Sequence, residues 1–208
     1  MNRIDEELQR AIDSITPPHI AVAHRIIAQG DETALLPEEL AAFASSVTKV
    51  RRASGAARIV ARQLMSRFGR APQAIRRSTN GAPMWPEGIV GSLAHDDRVA
   101  IAAMADRTRF QSIGIDIEPA EVIRSDLLHI IAKPAEWSQA LADPYGGRLL
   151  FAIKEAVYKA VYPLDGRFLD HHDIEVSLSN GFAEVREGRS VHFRHCATIH
   201  IVVLAYVT

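Results

Sequence analysis

The run Ser112-Ile-Gly-Ile-Asp-Ile-Glu-Pro119 constrains this chain more than any other stretch. Strict alternation over such a length reads as a β-strand with two unlike faces. Ile113, Ile115 and Ile117 form a β-branched surface suited to a core, while Gly114, Asp116 and Glu118 point the other way. At about 4 Å and an effective dielectric of about 20, two carboxylates repel by about 4 kcal/mol. Water weakens that repulsion and a divalent cation reverses it. Magnesium takes one or two carboxylates and fills its shell with water and phosphate oxygens. The ordinary alternative is an antiparallel strand with one wet face. Asp and Gly are poor strand formers, which favours a site.

A chain of 208 residues accommodates one large domain or two small lobes. Its formal net charge of −1 argues against general nucleic-acid binding but permits local basic patches. Cys196 is the single cysteine, so no intramolecular disulfide forms and a reducing compartment is the simplest home. No apolar run is long enough to span a bilayer, and Asp5, Glu6 and Glu7 stand where a signal peptide would be basic and then apolar. The expected location is the cytoplasm.

Residues 3–14 pattern as an amphipathic helix ended by Thr16-Pro17-Pro18, and His19–Ile27 as a strand in which His24 is a satisfied or surface histidine. Gly30-Asp31-Glu32 is a turn, and Pro37-Glu38-Glu39 opens a short helix. Val50–Phe68 is a stronger helix, with Ala53, Ala56, Ala57, Val60, Ala61, Leu64 and Phe68 on one arc. Arg51, Arg58 and Arg62 share the opposite arc without one interleaved acid. Either that face is solvated or it meets phosphate, which guanidinium groups match bidentately.

Asn80–Gly88 is a loop whose Trp85 lies between Pro83 and Pro86; the indole is a plug beneath the loop or a wall for a flat ligand. Two strands follow, Ile89–His95 and Arg98–Ala105, joined through Asp96-Asp97. Arg148–Tyr162 reads as a helix ending at Pro163, with Leu149, Leu150, Ile153, Ala156, Val157, Ala160 and Val161 on its apolar arc. Phe151, Glu155, Tyr158, Lys159 and Tyr162 lie opposite. Glu155 and Lys159 suit an i,i+4 surface pair, yet the aromatics beside them suggest a face that meets something other than water. The C-terminal third reads as β: Ile174–Leu178, a Ser179-Asn180-Gly181 turn, Phe182–Arg186 and Thr198–Thr208. His171, His172, His192, His195 and His200 lack metal-ligand spacing.

Gly114-Ile-Asp116-Ile-Glu118 followed by Phe151-Ala-Ile-Lys154-Glu155-Ala-Val-Tyr-Lys159 resembles the paired signatures of the 4′-phosphopantetheinyl transferases. Gly81-Ala-Pro83-Met-Trp85-Pro86, Gly91-Ser92-Leu-Ala-His95 and Arg58-Ile-Val-Ala-Arg62 are similar to motifs of the surfactin-type, enterobactin-synthetase component D-like branch. The resemblance spans roughly residues 35–162. It implies an α+β fold of two similar α/β lobes related by a pseudo-twofold. The N-terminal lobe would cover residues 1–108 and the C-terminal lobe 109–208, with the site between them. The implied activity is of the holo-[acyl-carrier-protein] synthase type. The phosphopantetheine of coenzyme A passes to a serine of an apo acyl, peptidyl or aryl carrier protein, releasing adenosine 3′,5′-bisphosphate. Siderophore, nonribosomal peptide or polyketide synthesis would be served by a monomer with no nucleic-acid partner.

By the same resemblance Asp116, Glu118 and Glu155 would hold Mg²⁺, with Mn²⁺ as the alternative metal. Lys159 would neutralise the cleaved phosphate, and Glu155, or else Glu118, would accept the serine proton. Arg51, Arg58, Arg62, Pro83, Trp85, Ser92, His95 and Lys154 would join Asp116 and Lys159 around coenzyme A. Val122–Ile131, with Arg124 and Lys133, would receive the carrier. The sequence departs from the pattern at Ala94, where the family commonly has a serine on the 3′-phosphate. Losing a hydrogen bond to a charged group costs about 1.5–3 kcal/mol, and Ser92 is the candidate substitute. Ser54 and Ala57 replace an aromatic and a glycine, and Ala152 a small hydroxyl or cysteine. A Mg²⁺-dependent nucleotide or coenzyme A pyrophosphohydrolase would need the same carboxylates and arginines, and a non-catalytic protein of the same fold would need none.

Overall fold

The computed structural model describes residues 3–186 and 188–208. Helix α1 (Glu6–Ile15) is capped by Asp5, whose carboxylate accepts from the Glu7 and Leu8 amides at 3.0 Å. The Asp5 amide in turn donates to Nε2 of His24 on β1 (Ile20–Ile26) at 2.9 Å, and Nδ1 of that ring lies 2.9 Å from Gln9. His24 is thus the satisfied histidine anticipated. Helix α2 (Pro37–Leu40) starts on its proline, and α3 (Thr48–Arg67) fills the alanine-rich stretch. Strands β2 (Ile89–His95), β3 (Val99–Asp106) and β4 (Ser112–Pro119) follow as read from the alternation.

The C-terminal half differs in three respects. Within Val122–Ile131 a short helix α4 (Ser125–Ile131) forms, followed by α5 (Trp137–Leu141). Helix α6 (Gly146–Asp165) runs through Pro163 and ends on Gly166 at φ 66°, whose amide donates to the Tyr162 carbonyl. Proline there forfeits only the bond to the Lys159 carbonyl, in a last turn already fraying. Strands β5 (Ile174–Ser177), β6 (Phe182–Val185) and β8 (His200–Val207) were expected, but β7 (Arg189–Ala197) was not. Its Val191 and Phe193 are buried and alternate with exposed Ser190, His192 and Arg194, a signal hidden by low hydrophobicity.

The strands form an antiparallel three-stranded sheet in the order β1-β3-β2 and an antiparallel five-stranded sheet, β4-β8-β7-β6-β5. Their inner faces pack together: Val22, Val90, Ile101 and Ala103 meet Ile113, Ile115, Ile117, Val202 and Leu204, with Leu8 and Ile12 of α1 closing one end. Helix α3 covers the outer face of the first sheet through Val60, Ala61, Leu64 and Met65 against Ala102 and Met104. Helix α6 covers the outer face of the second through Ile153, Ala156, Val157 and Ala160 against Val203 and Ala205. The result is four layers, helix–sheet–sheet–helix, and among the described residues no helix is long and apolar enough to cross a membrane. The face of β4 bearing Asp116 is therefore not the wet face of the ordinary alternative; α6 lies on it.

Gly114 permits that contact. A Cβ there would lie 1.9 Å from the Ala156 carbonyl oxygen and 2.7 Å from the Ala160 amide, so α6 rests directly on the backbone of β4. Both halves also repeat one buried device. Glu39 and Glu136 each follow a proline by two residues and each accepts from the amide just before it, Leu36 at 2.8 Å and Lys133 at 2.7 Å. Each reaches a distant amide too, Ile75 and Val176 at 2.7 Å, and each meets cations of the long helix of its own half. Arg62 lies 3.0 Å from Glu39, and Lys154 lies 2.7 Å from Glu136.

Two outcomes follow from this packing. Gly114→Ala forces α6 away from β4 and costs at least the 1–3 kcal/mol typical of overpacking, read as a lower denaturation midpoint. Lys154→Met leaves Glu136 charged and 1 % exposed without its partner, a loss of about 3–5 kcal/mol by urea unfolding. A Lys154→Met/Glu136→Leu double variant should recover most of it.

Candidate active site

A cavity of about 580 Å³ opens between α3, the loop before β2, the inner strands and α6. Arg58, Arg77, Arg107, Lys159 and His95 all line it, and among the described residues no carboxylate does. Pro83 and Trp85 wall one side. A Cβ on Gly91 would lie 2.5 Å from the Trp85 ring, so the missing side chain lets the indole lie flat on β2. Its buried Nε1 has no hydrogen-bond partner among the described residues. Ser92 is buried in the wall and accepts from the Ile115 amide at 3.0 Å, joining the two sheets.

Arg58 is 3 % exposed and donates through Nε to the Ile75 carbonyl and through Nη1 to that of Ser54. Burial, opposed by Glu39 and aided by Arg77 and Arg62, pushes its pKa down to about 10. Its guanidinium stacks on Phe43, 4.9 Å from the ring centroid. His95 stands at the mouth; burial of its ring, with Lys159 and Arg77 nearby, holds the imidazole below its ordinary value.

The carboxylates gather at the floor. Lys159 Nζ lies 2.6 Å from Asp116 Oδ1 and 3.3 Å from the Ile115 carbonyl, so it bonds across to β4 rather than to Glu155. Asp116 Oδ2 is buried without a hydrogen-bond partner among the described residues. Burial raises the Asp116 pKa against the Lys159 charge, with Glu155 adding to the rise. Glu118, raised by burial and by Asp116, pairs with Arg148 at 3.0 Å. Glu155 is half-buried on α6 and has no side-chain hydrogen bond or ion pair among the described residues. On the far side of Glu118 a second cavity of about 700 Å³ is lined by Asp96, Asp97, Glu118, Glu121, Tyr145 and His200, among others.

Among the described residues no three His, Cys, Asp or Glu side chains form a ready-made coordination shell. Lys159 and Arg148 hold the oxygens instead. The donor chemistry still fits a divalent cation. A buried carboxylate oxygen without a partner, beside two like charges, is a group that a hard cation satisfies.

Several expected contacts with coenzyme A do not reach the cavity. Arg62 is held by Glu39 and by the Ala34 carbonyl at 2.6 Å, because it is the cation that Glu39 needs. Lys154 is fully buried, with Nζ on the Ile131 and His171 carbonyls and on Glu136. Arg51 is half-buried on the first turn of α3, outside the lining. Arg77 and Arg107 were missed, and a lone arginine in an irregular segment gives little warning. Arg148 was legible: it precedes Glu155 by seven residues and Lys159 by eleven, one row along a helix face.

Comparison with known proteins identifies the family. Residues 37–105 match the 4′-phosphopantetheinyl transferase N-terminal domain, and residues 112–203 match the 4′-phosphopantetheinyl transferase superfamily. The chain is 36% identical over 182 residues to the 4′-phosphopantetheinyl transferase Npt of Nocardia iowensis, covering 85% of this chain and 82% of that protein. It is 37% identical over 150 residues to Svp of Streptomyces mobaraensis, covering 69% and 61%, and 37% identical over 147 residues to PptT of Mycobacterium tuberculosis, covering 69% and 65%. With both halves matched in order and one relative covered nearly throughout, the chain belongs to the 4′-phosphopantetheinyl transferase superfamily and is a transferase.

Proposed function

We propose that this protein transfers 4′-phosphopantetheine from coenzyme A to a serine of an apo carrier protein, and that residues 1–108 and 109–208 act as two lobes around that reaction. One observation carries the reading: a cavity with four arginine or lysine side chains and, among the described residues, no carboxylate abuts a floor that holds the buried Asp116. A ligand with phosphates at both ends of a nucleotide suits it. Arg58 and His95 face the nucleotide's phosphate, Pro83 and Trp85 flank the base, and Ser92 supplies a hydroxyl. Lys159 meets the pyrophosphate beside Asp116. Asp116, Glu118 and Glu155 are the residues that would hold Mg²⁺ or Mn²⁺, which when bound shields the pyrophosphate charge as a Lewis acid.

The reaction forms a bond from the serine oxygen to the phosphorus bearing pantetheine and breaks that phosphorus's bond to the bridging oxygen. Adenosine 3′,5′-bisphosphate leaves with the electron pair. Glu155, half-buried and without a hydrogen bond or ion pair among the described residues, takes the serine proton, and Lys159 stabilises charge on the departing phosphate. The carrier approaches from the Glu118 side, where Val122 and Ile130 are exposed at 68% and 62%. Arg124 and Lys133 are paired with Asp126 and Glu175, so that face offers apolar contact more than net charge. A monomer in the cytoplasm, serving siderophore, nonribosomal peptide or polyketide carriers, fits a chain that supplies both halves of the site and has a single cysteine.

Incubation with coenzyme A, Mg²⁺ and apo carrier should add one phosphopantetheine mass to the carrier, with loss on chelation and recovery with added Mg²⁺. Bisphosphate release without carrier would instead mark a pyrophosphohydrolase. Glu155→Gln should lower kcat by about 10²–10⁴-fold, read by the same mass assay.

Affinity for coenzyme A should depend on His95. Its pKa is depressed in the free protein, and a bound phosphate raises it, so binding takes up a proton and weakens as pH rises through the bound-state pKa. Calorimetry in two buffers of different ionisation enthalpy should show this uptake. His95→Gln should abolish it while the phosphate's own titration remains.

A further inference from the structure

We infer that Arg148 is a resident counter-ion of the acidic floor: it shares Glu118 with any divalent cation that binds there, so the metal binds weakly until the diphosphate of coenzyme A brings compensating negative charge; this rests on the coenzyme A reading above.

Three carboxylates and two cations meet at the floor. Arg148 Nη1 lies 3.0 Å from Glu118 Oε2, and Lys159 Nζ lies 2.6 Å from Asp116 Oδ1. Asp116 and Lys159 both act on the Glu118 carboxylate, and Glu155 acts on Asp116, so these groups are within electrostatic reach of one another. Their charges leave one net negative charge. A divalent cation turns that into one net positive charge, and Arg148 and Lys159 then repel it. A diphosphate restores the balance. Metal and coenzyme A therefore help each other to bind.

The Arg148 pair is suited to sharing rather than to bracing. In the buried Lys154–Glu136 pair every group is engaged: Nζ has three oxygen acceptors, and each glutamate oxygen takes a backbone amide. Arg148 makes one bond. Its Nε is buried without a hydrogen-bond partner among the described residues, and among them Glu118 Oε1 has no hydrogen bond or ion pair. Both side chains keep 21% of their surface exposed, so a ligand can reach them. Arg148 also stands in the first turn of α6, where the helix dipole disfavours a cation, and Glu118 offsets that cost. Lys159 is assigned to the pyrophosphate, which leaves Arg148 as the cation whose removal tests the balance.

The test titrates Mn²⁺, followed by loss of its free-ion electron paramagnetic resonance signal, into wild type, R148Q, R148M and R148K with and without coenzyme A. R194Q controls for general charge: Arg194 is exposed on β7, and its pairing with Leu204 of the inner cluster puts it on the face turned away from α6. In wild type, coenzyme A should tighten Mn²⁺ by about 5- to 150-fold, the usual range of coupling between two ligands, and Mn²⁺ should tighten coenzyme A by the same factor. R148Q and R148M should bind Mn²⁺ alone at least about tenfold more tightly than wild type, the effect of one unit charge at about 4–6 Å, and show a smaller coupling. R148K, which keeps the charge, and R194Q should stay close to wild type. Unchanged or weaker Mn²⁺ binding by R148Q and R148M would overturn the inference. So would equal Mn²⁺ affinity of the wild type with and without coenzyme A, a measurement that needs no variant. A wild type that binds no coenzyme A, with or without Mn²⁺, sinks the coenzyme A reading itself.

Discussion

The seating of α6 on the bare backbone at Gly114 sets the geometry of the candidate active site. Helix and strand here approach more closely than side chains ordinarily permit, since a single methyl would meet the Ala156 carbonyl at 1.9 Å. That approach brings Lys159 within 2.6 Å of Asp116 although the two are 43 residues apart. It also covers a carboxylate that would otherwise be solvated, and the cost appears as a raised Asp116 pKa and an oxygen without a partner. A site of this kind is unfavourable on its own and favourable once a cation arrives. The apolar packing of Ile153, Ala156, Val157 and Ala160 carries that local cost.

Two buried glutamates show how the surrounding framework is held. Glu39 and Glu136 each collect amides from chain segments that lack regular partners and fasten them to a long helix. Replacing such a network by apolar groups need not destabilise a protein, but removing one member does. The same proline–glutamate device recurs in both halves of the chain, even though one sheet has three strands and the other five.

Much of this was readable in advance because the decisive signals were local. Alternation in Ser112–Pro119 fixed which side chains face the core, and Ile113, Ile115 and Ile117 are buried at 0–1%. The two long helices followed from their apolar arcs. What could not be read was the identity of each partner. The arginine row on α3 looked like one phosphate-binding stripe, yet Arg62 serves Glu39, from a segment the row itself says nothing about. The family resemblance likewise puts Lys154 around coenzyme A, but adjacent helix positions differ by about 100° and Lys154 turns into the core, onto Glu136. Pro163 seemed to end a helix that in fact continues, since one lost bond in the final turn is tolerated.

The two cavities on either side of Glu118 differ in sign: one is lined by Arg58, Arg77, Arg107 and Lys159, the other by Asp96, Asp97, Glu118 and Glu121 against a single arginine, Arg98. An electric field therefore runs across the floor between them, pointing from the basic chamber toward the acidic one. Any doubly charged anion formed at that floor meets repulsion ahead and attraction behind. Such an anion is held toward the basic chamber and repelled by the acidic one.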